Sequence, residues 1–434
     1  MNEFANRRKD FLSKIKNTVA LFISAPQVYR NHDVSYDYRQ DSNFYYLTAF
    51  PEPQSIALFC PNSKNPFSLF VQPKDEKKEL WDGKLFGPEG AKKTFGADFA
   101  APITPLETFE EAFIQALCQS EKLYYKVGFS REWDEKVFEL MNKAIKRLGR
   151  TGRSLWPILD PNEITGEMRV FKTKYEIEKQ SRACQISAEA HCLAIQKAAA
   201  GQYEYQVQSL IEQDFKAKGA ARVGYGSIVA SGDNACTLHY IENTKMLKEG
   251  ELLLIDAGAE YEYYSGDITR TFPVSKKFSK EQKEIYSAVL KVQKECIKMV
   301  KPGLRYKEIH NCAVEGLSEE LRKLKILTGT TKSIIEKKEY FKYFPHGTGH
   351  WLGMDVHDAG YYFDKSYDTP RKIEANMVFT IEPGLYFGKG SPAKYQGIGV
   401  RIEDNILVTN NGCKVLTSHV PKEVEEIEAL RSSK

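Results

Sequence analysis

The apolar positions of this chain follow two textures. In the first part, residues 19–24, 55–60 and 67–71 are short continuous apolar runs of strand length. Residues 4–17, 106–119 and 131–148 place apolar side chains three and four apart, which predicts helices. An aromatic, polar stretch, YDYRQDSNFYY (36–46), lies between the first two strand segments. This alternation predicts a mixed sheet with helices. Pro157, Pro161 and Gly166 then break the pattern. They divide the chain into a smaller N-terminal mixed α/β domain, residues 1–165, and a larger domain, residues 166–434.

The larger domain opens with a helical stretch over 175–199. From residue 222 onward, Gly-rich loops alternate with strongly apolar strands, and histidines gather between 239 and 357. The charged stretch 331–343 reads as a solvated helix or loop. The predicted class is α+β. One internal echo stands out. LLLIDAG (252–258) and VFTIEPG (378–384) are both apolar strands ending in a carboxylate, with glycine two residues later. A second acid follows in each, Asp267 after Asp256 and Glu403 after Glu382. The echo predicts two related halves that each bring a pair of acids to one site.

Composition narrows the function classes. The 434 residues are 42% hydrophobic and 28% charged, close to a globular average, which excludes global disorder. The net charge of +4 is small for this length and argues against a polyanion binder, so no nucleic-acid partner is expected. No apolar stretch approaches the roughly 18–20 residues of a membrane span, and the N-terminus lacks a signal-peptide core. None of the eight cysteines forms a CxxC pair. They read as reduced thiols of an intracellular, cytoplasmic protein.

The chemistry lies in the acids and histidines. If the hairpin within 252–273 pivots between Tyr261 and Glu262, Asp256 and Asp267 face each other across it. Directly opposed Cβ atoms lie about 4.5–5.5 Å apart. Two carboxylates that close, flanked by Leu254, Ile255 and Ile268, repel and are costly to desolvate, and a divalent cation resolves the conflict. Glu382 and Glu403 each adjoin apolar strands, and glutamate is rarely buried unless paired. In PHGTGHWLGMDVHD (345–358), Gly347 and Gly349 disfavour a continuous helix, so this is not a helical HExxH zinc signature. A Gly-rich backbone instead lets imidazoles converge on a cleft. Four carboxylates and one imidazole suit Mn²⁺, Co²⁺, Fe²⁺ or Zn²⁺. Two such ions about 3.5–4 Å apart share a bridging water and lower its pKa. That is a hydrolase design, and no G-x-S-x-G elbow, P-loop or G-x-G-x-x-G fingerprint competes with it.

Four motifs taken together, LIDAGAEYEYYSGDITRTFPV, PHGTGHWLGMDVHD, MVFTIEPGLY and GIGVRIEDNILVT, resemble the pita-bread (creatinase/aminopeptidase-like) metallopeptidases. Among these the Xaa-Pro aminopeptidases (aminopeptidase P) are most similar, and YRQDSNFYYLTAFPEP resembles their N-terminal domain. The resemblance implies a C-terminal pita-bread catalytic domain and a metal-ligand set of Asp256, Asp267, His350, Glu382 and Glu403. It implies that Asp267 and Glu403 bridge two divalent ions, usually manganese. His350 and Glu382 would complete one ion's site, and Asp256 would chelate the other. His239 and His357 would polarise the scissile carbonyl, with His346 a further cleft histidine. Glu382 would shuttle the proton, Arg401 would brace Asp256, and Tyr386 would line the cleft.

The implied reaction removes the first residue of a peptide whose second residue is proline, by attack of a metal-bridging hydroxide. A homo-oligomer, dimer or tetramer, is expected, with a neighbouring N-terminal domain closing the cleft. Three alternatives stay open. A prolidase would act on Xaa-Pro dipeptides. A non-catalytic peptide-binding protein would use the same fold without turnover. A metal oxygenase would use a two-histidine, one-carboxylate triad.

Overall fold

The computed structural model describes residues 2–364 and 368–433, in two compact units, Met1–Gly166 and Glu167–Lys434. In the first unit, helix α1 (Asn2–Lys14) ends before Asn17, whose φ of 56° is left-handed. Six strands follow: β1 (Thr18–Ile23), β2 (Ile56–Phe59), β3 (Phe67–Val71), β4 (Phe99–Pro102), β5 (Lys122–Tyr124) and β6 (Ile158–Leu159). They form one sheet in the order β4-β3-β2-β1-β5-β6. Only β2 runs antiparallel to its neighbours β1 and β3, and the other pairs are parallel.

Every residue of β1, β2 and β3 is buried. A continuous apolar run is what a strand covered on both faces requires. Successive side chains then point to opposite faces. Phe22 meets Phe11 of α1 at 5.7 Å between ring centroids. Val19, Leu21 and Ile23 join the core made with helices α2 (Glu107–Cys118) and α3 (Arg131–Leu148).

The second unit opens with α4 (Lys174–Lys197). Its N-terminus is fixed by a capping box in which Thr173 and Glu176 satisfy each other's backbone N–H groups. Helix α5 (Glu204–Ala217) follows. Strands β7 (Ile228–Ser231), β8 (Leu252–Asp256) and β9 (Thr269–Pro273) then make an antiparallel sheet with β8 in the middle. Helices α6 (Lys280–Met299) and α7 (Tyr306–Lys323) separate it from the second set of strands. There β10 (Val378–Ile381) pairs with β13 (Asp404–Thr409), which pairs with β14 (Gly412–Val415). Between them in sequence, β11 (Gly384–Phe387) pairs with β12 (Ile398–Arg401). The class is α+β, as the pattern predicts. The charged stretch 331–343 forms a short helix, Thr331–Glu336, and a single 3-10 turn, Glu339–Lys342. Lys332 and Glu336 stand exposed.

Candidate metal centre

The register of the first hairpin differs from the expectation. Asp256 pairs with Thr269, and Tyr261 with Tyr264, so the pivot lies between Glu262 and Tyr263. Both pivot residues have positive φ, 46° and 71°. That is the two-residue geometry whose twist suits a hairpin, here without the usual Asn-Gly to announce it. The shift changes the partner of Asp256 by two residues, and a two-residue shift keeps the same face. Asp256 and Asp267 therefore still converge, through a residue outside the hairpin. The Tyr225 hydroxyl touches Asp256 Oδ1 at 2.5 Å and also meets Asp267 Oδ1.

In the second half, the chain changes partner between β12 and β13. Gly384 pairs with Arg401, whereas Ile381 pairs with Asp404. Glu403 sits at that switch. Its backbone N–H donates to Thr269 O at 3.1 Å, and its Oε2 accepts from Thr269 Oγ1 at 2.6 Å. Glu382 follows β10, and its backbone N–H donates to Thr348 O at 2.9 Å. His350 lies alongside β10, where its carbonyl accepts from Thr380 N–H at 2.9 Å. Gly349 is needed there, because a Cβ at that position would overlap the Thr380 carbonyl.

Ligand atoms of Asp267, His350 and Glu403 all lie within 4.8 Å of one another. His350 Nε2 is 3.3 Å from Asp267 Oδ2 and 3.5 Å from Glu382 Oε1. Asp256 stands at the other edge, its Oδ2 receiving Arg401 Nη2 at 2.6 Å. The tautomer of His350 follows from its other nitrogen. Nδ1 lies 3.0 Å from Trp351 O, which can only accept, so Nδ1 carries the proton of the neutral ring and Nε2 is the nitrogen a metal ion would take.

Burial raises the pKa of Asp267, of Glu382 to about 7, and of Glu403 well above its ordinary value, and repulsion among the acids adds to it. Burial would lower His350, but hydrogen bonding and charge from Asp267, with Glu382, outweigh it and raise it to about 9. Four crowded carboxylates face one permanent cation, Arg401. The set is short of positive charge and rich in oxygen donors, which fits divalent ions such as Mn²⁺ or Zn²⁺.

Of the remaining expected residues, His239, His346, His357 and Arg401 border the same cleft, a cavity of about 490 Å³, whereas Tyr386 is buried behind it and reaches it only through His346 and Arg401. His357 lies with its ring centroid 4.2 Å from that of His350. His346 Nδ1 sits 2.7 Å from Gly347 O and so carries the proton, leaving Nε2 to accept from the Tyr386 hydroxyl at 2.9 Å. Tyr386 in turn accepts from Arg401 Nη1 at 2.9 Å. The relay His346–Tyr386–Arg401–Asp256 is thus continuous. Burial, with the charge of Arg401, lowers the His346 pKa to about 3, so it acts as a neutral imidazole.

Several functional neighbours are absent from the sequence reading. Tyr225 carried one signal, the glycines on either side of it. Gly224 donates its N–H to Gly258 O at 2.8 Å, and a Cβ there would crowd Ser265. Thr269 shares the Asp267 face by simple alternation. Asn405 clamps the backbone of Asp267, accepting from its N–H at 3.0 Å and donating to its carbonyl. His191 holds Ala257 O at 2.9 Å, next to Asp256, from the far side of α4, and only the fold could bring it there.

Comparison with known proteins places this geometry. The profile of metallopeptidase family M24 matches residues 178–410, and that of the aminopeptidase P N-terminal domain matches residues 4–124. The Xaa-Pro aminopeptidase of Haemophilus influenzae is 39% identical over 432 residues, which is 99% of this chain and 96% of the relative. Among solved structures, Pseudomonas aeruginosa aminopeptidase PepP superposes with a TM-score of 0.95 at 38% identity, covering 99% of this chain and 98% of that one. An Escherichia coli aminopeptidase P in complex with substrate gives a TM-score of 0.93 at 36% identity, over 99% and 98% of the two chains.

Proposed function

The chain belongs to metallopeptidase family M24, with the pita-bread fold of aminopeptidase P, and we propose that it works as an Xaa-Pro aminopeptidase. It releases the N-terminal residue of peptides that carry proline second. The observation that carries this reading is the convergence of Asp267, His350 and Glu403 within 4.8 Å, with Asp256 and Glu382 at their edges, in a histidine-lined cleft.

In this proposal, catalysis resides in the unit Glu167–Lys434. Asp256, Asp267, His350, Glu382 and Glu403 hold two divalent ions, Mn²⁺ being the first choice and Co²⁺, Fe²⁺ and Zn²⁺ the others. The ions supply Lewis acidity and an activated water at neutral pH. Glu382, 3.5 Å from His350, would take the proton of the attacking water and return it to the leaving amine. His239 and His357 donate to the scissile carbonyl oxygen. His346 and Tyr386 border the site, and Arg401 orients Asp256 through their 2.6 Å ion pair. An Xaa-Pro bond has no N–H, so recognition must rest on the carbonyl and on the shape of the cleft.

A homo-oligomer, dimer or tetramer, is part of the proposal. The helix Glu76–Asp82 buries none of its side chains, and Leu80 and Trp81 are 82% and 85% exposed. Association would cover that apolar surface. No described helix is long and apolar enough to cross a membrane. We assign the protein to the cytoplasm, whose reducing poise suits its free thiols.

Purified protein, stripped of metal and reloaded with Mn²⁺, is offered Arg-Pro-Pro and Gly-Pro side by side, with Asp256→Asn as control. Release of arginine from the tripeptide, lost in the control, is the expected result. Cleavage of the dipeptide alone would replace the reading by a prolidase. No cleavage with any divalent ion would replace it by a binding role.

A further inference from the structure

The loop between His350 and His357 is closed and pinned by charges that come from elsewhere in the unit. Asp358 N–H donates to Trp351 O at 2.9 Å, which closes the loop on itself. The Asp358 side chain is buried, with 1% of its surface exposed. Its Oδ2 receives Lys172 Nζ at 2.8 Å, and its Oδ1 receives Arg169 Nη2. The same Oδ1 accepts Asp355 N–H at 3.3 Å, and Arg169 Nη2 also reaches Asp355 Oδ2 at 2.6 Å. Arg169 and Lys172 are themselves buried, and Lys172 Nζ donates back to Arg169 O at 2.6 Å. Gly353 leaves room for this cluster. A Cβ there would overlap Asp358 Oδ2 and lie 3.0 Å from Lys172 Nζ.

Charges so deeply buried are costly unless paired, and breaking one pair strands the others. The cluster is therefore rigid, and His357 is the residue next to Asp358. Among the described residues the His357 imidazole makes no hydrogen bond, and it borders the cleft with its ring 4.2 Å from that of His350. We infer that Arg169, Lys172 and Asp358 form a clamp of positioning residues that fixes loop 351–358 and so holds the His357 imidazole beside the scissile carbonyl. What His357 does there rests on the aminopeptidase reading; the ordering of the loop does not.

The test uses the full chain and the variants Lys172→Met, Gly353→Ala and Asp358→Asn. Amide hydrogen exchange is followed on metal-free protein, and initial rates on Mn²⁺-loaded protein with Arg-Pro-Pro. Exchange over 352–358 is expected to quicken about tenfold more than over the rest of the unit, whose protection falls only by each variant's loss of global stability. The kcat is expected to fall about 100-fold, the scale of a 1 Å misplacement, with KM and bound metal within about twofold. Unchanged loop exchange with unchanged kcat in a folded variant overturns the inference. So does quickening spread over the whole unit, with kcat, KM and metal content falling together. Should Asp358→Asn not fold, Lys172→Met keeps the Arg169–Asp358 pair and decides by the same outcomes. Should the unaltered protein leave the tripeptide intact, the aminopeptidase reading fails, and loop exchange still supports or overturns the clamp.

Discussion

The two units bury charge in opposite ways. The N-terminal unit has an aromatic interior, with Phe59 stacked on Phe67 at 5.0 Å and Phe70 edge-on to Phe109 at 5.3 Å. Its buried guanidinium groups, Arg7 and Arg8, lie over the rings of Tyr46 and Phe67 at 4.1 and 4.6 Å and donate to backbone carbonyls, with one part-exposed acid, Glu3, 3.4 Å from Arg7. The second unit instead sets charge against charge. Arg270 and Asp404, both fully buried, pair at 2.7 Å directly behind Glu403. Asp358 faces Arg169 and Lys172. Ring packing asks nothing of the solvent. Paired charges depend on every partner being present and in the right protonation state. The first unit should therefore be indifferent to metal where the second is not.

The sharpest test of that contrast is Asp267→Ala. It removes an acid from the middle of the cluster, and activity should fall by more than about 1000-fold, the scale of losing a principal electrostatic contribution. Calorimetry should show metal binding lost while the N-terminal unit unfolds where it did before. A shift of both units together would break the contrast.

Phe109→Ala is the reciprocal change. Deleting a fully buried ring costs about 3–5 kcal/mol, and it should appear in the N-terminal transition alone. Metal stoichiometry, measured by atomic absorption, should stay as in the parent protein. Lost metal would mean that the first unit's packing supports the site.

The pH dependence sharpens the comparison further. Burial alone would raise the Asp358 carboxyl, but the charges of Arg169 and Lys172 overcome this and hold its pKa below the ordinary aspartate value. A depressed pKa gives stability that is present above the unfolded value, about 3.9, and lost as pH falls through the folded one. The unaltered protein should therefore exceed Asp358→Asn in stability by about 3 kcal/mol near neutrality. The gap should narrow on acidification below about pH 4. Denaturant titrations across that range measure it, and a gap independent of pH would dissociate the effect from the carboxylate charge.

Tyr225→Phe should have the smallest effect. It removes a hydroxyl shared by Asp256 and Asp267 and leaves the ring in place. Loss of such an orienting partner costs about 10–100-fold in metal affinity. Competition with a chelator reads this directly, and affinity within about twofold of the parent would show that Arg401 and Asn405 orient the two acids without it.

Much of this was legible along the chain. β1, β2 and β3 are continuous apolar runs because both faces of the sheet are covered, and their bounds were readable to within a residue. The four acids stood out because carboxylates at the ends of apolar strands are costly without a counter-charge. The glycines around His346 and His350 excluded a helix for a local, steric reason. Each of these depends on neighbours in sequence, which the sequence records.

Other features depended on distance in space. The pivot at Glu262–Tyr263 was set by the twist of two paired strands, and the tip carried no residue to declare it. Tyr225 and Asn405 reached Asp267, and Thr269 reached Glu403, across gaps that no spacing rule links. Arg169 and Lys172 meet Asp358 only in the fold, 189 and 186 residues along the chain from it. The sequence by itself determined which groups needed a partner, because burial and charge are properties of residue type and pattern. Only the tertiary structure decided which partner each received, because a hydrogen bond or ion pair is made within about 3 Å, and that distance exists only once the chain has closed.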